Sequence, residues 1–199
     1  KKKNIMLLED CAHSYGATLN GKHSGNFGDA GVYSFYSTKA IMSGEGGMMV
    51  TNNDELGELA EKYVIYDRFD RTLPIANNIR VSELQALMLT SVLNEVDEII
   101  SNKKVIANQY IKHCNHLGIE FINQSGVNNG NYYKFILSSN NSDTKDKYKH
   151  LKKVTSQVYD YALGNSSELI NSHVCLPIWY GQEQETTNDA LDDMKSVFG

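Results

Sequence analysis

The sequence is poor in the features that assign a function quickly. It holds three cysteines in 199 residues, Cys11, Cys114 and Cys175. Odd in number and far apart, they form neither a disulfide framework nor a zinc site. No apolar run approaches the ~20 residues that cross a bilayer. The net charge of −5 excludes a general binder of nucleic acid or anionic membrane. The one dense basic run, Lys1-Lys2-Lys3, is too short to alter that. No Gly-x-x-x-x-Gly-Lys-Ser/Thr loop is present, and no Gly-x-Gly-x-x-Gly follows a strand. No signal-peptide pattern opens the sequence. The Asn-x-Ser triplets at Asn123, Asn140 and Asn165 therefore read as chance matches in an Asn-rich chain, and a reducing, cytoplasmic setting is expected.

What is present suits a globular protein of one or two domains: 41% hydrophobic and 22% charged residues, enough for a real core. Residues 4–8 form an apolar run without alternation, as in a parallel strand covered on both faces. Residues 11–30 are Gly-rich and polar and read as loop with a short helix. Residues 30–35 and 48–51 are strands, and 44–47 is a Gly-rich turn. Asn53 or Asp54 caps a helix through Tyr63. A looser stretch, 65–80, holds Arg68, Arg71 and Pro74. From Ser82, apolar residues recur at helical spacing (Leu84, Leu87, Met88, Val92, Val96, Ile99), with a bend near 101 and a stop at Gly118. Further on, 119–122 and 132–137 are strand-like, 138–146 is loop, the lysine-rich 145–153 is a solvated helix, 175–178 is extended and 184–197 is a closing helix. The chain opens inside a strand-like run, which leads to the expectation that it is a piece of something longer.

Three clusters carry chemistry. Glu9-Asp10-Cys-Ala-His13 stands at a strand's carboxyl end, where open α/β sheets bind ligands; alone, it also reads as a loop-capping carboxylate. Ser34-Phe-Tyr-Ser-Thr-Lys39, ahead of Gly44-Glu-Gly-Gly47, offers hydroxyls and turn amides for a phosphate and a lysine for imine chemistry. Asn78-Ile-Arg80-Val-Ser-Glu83, taken alone, is an ordinary helix entry. His113 and His116 lie one helical turn apart without a third ligand at a recognisable spacing, so they read as an exposed face rather than a metal site. The aromatic residues Tyr159, Tyr161, Trp179 and Tyr180 read as core and interface.

Taken together, four segments resemble the DegT/DnrJ/EryC1/StrS family of pyridoxal-phosphate-dependent sugar aminotransferases. They are Leu8-Glu-Asp-Cys-Ala-His-Ser-Tyr-Gly-Ala17, Gly25-Asn-Phe-Gly-Asp29, Tyr33-Ser-Phe-Tyr-Ser-Thr-Lys39 and Gly44-Glu-Gly-Gly-Met48. Asn78-Ile-Arg80-Val-Ser-Glu-Leu-Gln-Ala86 resembles the family's Asn-x-Arg-Met helix entry, and Leu176-Pro-Ile178 with the last helix resembles its C-terminal end. The resemblance implies an α/β fold of the aspartate-aminotransferase type, fold type I. Residues 1–100 would be the C-terminal part of the cofactor-binding large domain, and 101–199 a small α+β domain.

The resemblance also implies roles. Lys39 matches the lysine that holds pyridoxal 5'-phosphate covalently and then moves the proton. Asp10 matches the acid on the pyridine nitrogen, whose pKa a carboxylate raises so that the ring becomes an electron sink. Ala12 matches a small residue against the ring face. His13 falls where the family has Gln or His near the 3-hydroxyl. Ser34 matches a phosphate-contacting hydroxyl, and Asn78 an Asn that reaches the neighbouring subunit's cofactor phosphate. The implied substrates are a nucleotide-linked keto sugar and glutamate or glutamine as amino donor. The implied assembly is a homodimer, with no nucleic acid and no membrane.

Departures from the family pattern are Ala76 before the Asn-x-Arg entry, Val81 where Met is common and Leu87 for a frequent Ala. They bear on packing more than on chemistry. Lys39 argues against the family's dehydratase branch, in which His replaces the lysine. Family members are about twice this length, so three arrangements stand side by side. The chain is part of a larger protein, or works with a separate N-terminal half, or is a truncated, inactive relative that acts as a binding or assembly partner.

Overall fold

The structure is a computed structural model that describes residues 5–65, 77–124, 128–158, 170 and 172–199. The sequence readings at Lys1–Lys3, Arg68, Arg71, Pro74, Ala76, Tyr159, Tyr161 and Asn165 lie outside the described residues. The chain forms two compact units, Lys1–Asp97 with Gly126–Gly130, and Glu98–Ser125 with Asn131–Gly199.

The first unit is built on a three-stranded sheet. Strand β1 (Leu8–Asp10) runs parallel to β4 (Ala30–Ser34), and β4 pairs antiparallel with β5 (Gly47–Thr51). Between β1 and β4 the chain folds a hairpin, β2 (Thr18–Leu19) and β3 (Lys22–His23), turning on Asn20 and Gly21 with φ of 52° and 75°. Such a turn needs two left-handed residues, which Asn-Gly supplies at low cost. A two-residue strand, β6 (Asn128–Asn129), pairs with β2 on its other side. Helix α1 (Asp54–Val64) is capped by Asn53, whose side chain accepts from Leu56 N at 3.1 Å. Helix α2 (Glu83–Asn94) opens on a capping box: Ser82 Oγ accepts from Gln85 N, and Gln85 Oε1 accepts from Ser82 N.

The second unit is organised by α3 (Val96–Leu117), which begins within the first unit. Its inward face meets the antiparallel pair β7 (Phe135–Ser138) and β8 (His173–Leu176), with helices α4 (Ser142–Tyr148) and α5 (Gln184–Phe198) completing the unit. Tyr110, Cys114, Phe135, Leu137, Leu176 and Met194 form the centre of one apolar core. The buried Tyr110 hydroxyl donates to Pro177 O at 2.8 Å, which removes the cost of an unpaired buried donor. Gly118, φ 67°, ends α3, and Ile119 N reaches back to Cys114 O at 2.9 Å.

Several sequence expectations are corrected. The strand expected over 4–8 is instead Leu8–Asp10, and Ile5, Met6, Leu7 and Leu8 are exposed rather than covered on both faces. Among the described residues β1 has one ladder neighbour, β4, and the register with Ala30–Val32 fixes where it begins. Residues 11–30 contain a hairpin, where loop and a short helix were expected. The helical break falls at Glu95, whose N–H closes back on Val92 O at 3.1 Å, not near 101. The strand expected over 132–137 starts at Phe135, because Tyr132 takes a left-handed backbone (φ 50°) that no ladder accommodates. The segment 119–122 contributes a single bridge, Phe121 to Leu137. The lysine-rich helix is Ser142–Tyr148 rather than 145–153, because Asn141 caps it by accepting from Asp143 N and Thr144 N.

Candidate active site

The candidate site follows from the pairing of β1 with β4. Their parallel register, Asp10 opposite Val32, puts both carboxyl ends at one edge of the sheet. The pleat places Asp10, Val32 and Ser34 on one face, and Glu9, Gly31 and Tyr33 on the other. The ladder extends one residue beyond β1 through Cys11 N to Val32 O at 2.8 Å, with the Cys11 side chain buried.

Beyond that point both chains turn. Asp10 Oδ1 accepts from Ala12 N at 3.0 Å, so one carboxylate oxygen holds the turn. Ala12 and His13 follow in that turn, both half-buried. On the β4 side, Ser34 Oγ accepts from Tyr36 N at 3.4 Å, and Lys39 N donates to Tyr36 O at 2.9 Å. Phe35 and Ile41, both buried, anchor the loop between them, and Ser43 N and Phe35 N close it through Phe35 O and Gly46 O. Lys39 is half-buried on this loop. Asp10 and Ser34 thus end two adjacent strands, with Ala12 and His13 in the turn after β1 and Lys39 on the loop after β4. Asn78 is not part of that group. It is exposed in the segment before α2, and its Oδ1 accepts from Arg80 Nε at 3.2 Å.

The opposite face explains why the edge holds its shape, and sequence reasoning gave it no role. Glu9 accepts from Gly25 N (2.9 Å), Phe27 N (2.5 Å) and Gly28 N (2.6 Å), tying the 25–28 loop to β1. Desolvation raises the Glu9 pKa, but the amides of Gly28, Gly25 and Phe27 and the charge of Lys22 outweigh it and hold the carboxyl below its ordinary value. The Tyr33 hydroxyl donates to Ser24 O. A Cβ on Gly25, where φ is 83°, would stand 2.5 Å from that hydroxyl, so only glycine fits. Asp29 Oδ2 accepts from Leu7 N at 2.8 Å, and Thr51 Oγ1 donates to Asp29 O at 2.6 Å. The signal for this clamp was legible as a strand-end acid followed by spaced glycines, and the hairpin was legible as Asn20-Gly21.

The donor set suits pyridoxal phosphate. Asp10 keeps an oxygen beyond its turn bond for a ring nitrogen, Ala12 is a small side chain next to that turn, the Ser34 hydroxyl keeps its proton to donate, and Lys39 is an amine on the loop that follows β4.

The model of the DegT/DnrJ/EryC1/StrS aminotransferase family matches residues 1–159. GDP-perosamine synthase of Vibrio cholerae is 34% identical over 145 residues, 68% of this chain and 37% of that protein. The dTDP-3-amino-3,4,6-trideoxy-alpha-D-glucose transaminase of Micromonospora megalomicea is 32% identical over 114 residues, 55% of this chain and 30% of that protein. The chain therefore covers about a third of the curated relatives it matches. Among solved structures, a DegT DnrJ EryC1 StrS aminotransferase from Brucella abortus shares the fold with a TM-score of 0.82 at 19% identity, covering 100% of this chain and 58% of that one. Helicobacter pylori PseC does so with a TM-score of 0.81 at 19% identity, covering 99% and 60%. The fold is thus the α/β fold of these aminotransferases in part, and the chain belongs to the DegT/DnrJ/EryC1/StrS aminotransferase family.

Proposed function

We propose that this chain supplies the lysine-bearing part of a pyridoxal-phosphate-dependent aminotransferase that transfers an amino group from glutamate or glutamine to a nucleotide-linked keto sugar. The product feeds surface-polysaccharide synthesis, lipopolysaccharide included, in the cytoplasm. Among the described residues no helix is long and apolar enough to cross a membrane. The observation that supports the reading is the parallel pairing of β1 with β4, which ends Asp10 and Ser34 at one edge of the sheet, with Lys39 on the loop that follows β4.

When bound, the cofactor supplies a protonated ring that draws electrons from the reacting carbon. Asp10 holds the ring nitrogen's proton through its carboxylate. Ala12 and His13, in the turn that Asp10 closes, border the ring at its face and its 3-hydroxyl. The Ser34 hydroxyl donates to the phosphate. The Lys39 Nζ would anchor the cofactor and, tethered beside it, would move the proton of the transfer. Asn78 acts at the phosphate of a partner's cofactor, which makes the working unit a homodimer. Residues 1–100 are read as the cofactor-binding part and 101–199 as the small domain.

Incubation with pyridoxal phosphate, borohydride reduction and peptide mass spectrometry test this. Label is expected on Lys39 and absent in Lys39→Ala. Absence of label even with the N-terminal half of the fold supplied overturns the reading in favour of an inactive relative that acts as a binding partner.

A further inference from the structure

One side chain spans from the turn after β1 to the loop after β4, and none of the roles above uses it. Tyr15 stands two residues beyond His13, in a turn held by Ser14 N to Cys11 O at 3.0 Å and Ala17 N to Ser14 O at 2.9 Å. Its ring meets Tyr33 of β4 edge-on, with 5.1 Å between centroids. It also meets Phe35, the residue after β4, edge-on at 5.8 Å. Both are arrangements that aromatic rings prefer.

Each partner is itself fixed. The Tyr33 hydroxyl donates to Ser24 O, and the Ser24 hydroxyl donates to Ser14 O at 2.8 Å, next to Tyr15. Phe35 is buried, donates its N–H to Gly46 O and accepts from Ser43 N, both at 2.9 Å. Those two bonds close the loop on which Lys39 sits. The ladder between the two chains reaches only Cys11 N and Val32 O. Beyond it, the Tyr15 ring bridges from one chain to the other. Tyr33 is on the face opposite Asp10 and Ser34, so this contact braces the edge from behind.

We propose that Tyr15 is a positioning residue whose ring couples the turn closed by Asp10 to the loop that carries Lys39. Its bearing on catalysis rests on the aminotransferase reading. There the acid and the amine address opposite ends of one pyridine ring, so a small change in their spacing is costly.

Hydrogen exchange read by peptide mass spectrometry tests the coupling on the purified chain, without cofactor. Tyr15→Leu keeps an apolar side chain and loses the ring edges. It should raise exchange at 11–17 and at 36–46 together and leave α1 unchanged. Tyr15→Phe keeps the ring and should exchange as wild type in both segments. Borohydride labelling of Lys39 reads the consequence. Tyr15→Leu should need about tenfold more pyridoxal phosphate for half-labelling, and Tyr15→Phe the wild-type amount. Should Tyr15→Leu not fold, Tyr15→Met, whose unbranched side chain adapts to the gap, carries the comparison. A wild type that takes no label overturns the aminotransferase reading alone, and exchange still decides the coupling. The proposal is overturned by exchange that rises at 11–17 only, or by an equal rise in α1, which assigns Tyr15 to general stability. It is also overturned if Tyr15→Phe behaves as Tyr15→Leu, or if Tyr15→Leu labels as readily as a wild type that does label.

Discussion

The two units use similar apolar residues to different ends. In the second, the stripe of α3 meets β7, β8 and α5, and Tyr110, Cys114, Leu137 and Met194 are fully buried. In the first, full burial is concentrated under the loop that carries Lys39, at Phe35 and Ile41. Elsewhere it is open: Met6 is 75% exposed, and α2 buries no residue although Glu83 is its one charge. A helix apolar on all sides is the kind that other protein covers. The second unit thus closes a core of its own. The first holds the edge that carries Asp10 and Ser34 between surfaces that its described residues leave exposed.

The sharpest test of that contrast is the core itself. Phe135 is 2% exposed and packs against Tyr110 at 5.2 Å between ring centroids. Phe135→Ala should cost about 3–5 kcal/mol in urea unfolding followed by circular dichroism. A loss below about 1 kcal/mol would show that the second unit is no better closed than the first.

Lys103, on α3 and 3% exposed, is the exception within the closed unit, and removing it should stabilise the chain. Burial, and then Lys134, lower its folded pKa to about 8 from the ordinary 10.5, so between those values the unfolded chain binds more protons and stability rises with pH. The penalty is full below about pH 8 and fades as pH climbs towards 10.5. Lys103→Met should therefore gain on the order of 3 kcal/mol at pH 7 and little at pH 10.5. An equal gain at both pH values would assign the effect to packing instead of charge.

These features differ in how far the sequence announced them. The helix caps at Asn53 and Ser82, the stop at Gly118 and the strand around Val32 follow from local chemistry, which acts over a few residues. The order of Asp10, Ser34 and Lys39 along the chain was likewise visible. That Asp10 and Ser34 end adjacent parallel strands is set by the β1–β4 register, which pairs Asp10 with Val32. Residues 4–8 were misread because an apolar run reports hydrophobicity, whereas the strand's limits depend on which neighbours are there to pair. For the Glu9 clamp the sequence showed the strand-end acid and the spaced glycines, but not which amides the carboxylate takes, because backbone partners carry no residue type. Lys103 escaped notice because a lysine on a helix is ordinarily solvated, and its burial depends on packing far along the chain.

In the open unit, the clamp is the interaction whose removal should be felt most. Glu9→Gln keeps the shape but weakens three amide bonds to an ionised carboxylate, and about 1–3 kcal/mol is expected. The folded carboxyl lies below the ordinary 4.5, so its contribution is present above that value and is lost as pH falls through the folded pKa. Wild type and variant should differ at pH 7 and converge in acid. Borohydride labelling of Lys39 should fall alongside stability if the 25–28 loop supports the edge.

The smallest effect is expected where the sequence looks most like core. Leu84 and Leu87 are each 68% exposed on α2, so changing both to Gln removes almost no burial from the chain. Glutamine is about as good a helix former as leucine. The double variant should unfold within about 0.5 kcal/mol of wild type. In the dimer proposed above, the same change should weaken self-association in analytical ultracentrifugation, because there an apolar helix next to Asn78 gains a partner. A stability loss of 2 kcal/mol or more in the isolated chain would mean that α2 is already packed, and the contrast between an open and a closed unit would collapse. Unchanged stability together with weakened association would place the missing cover of the first unit on another copy, the arrangement that Asn78 acting in trans requires.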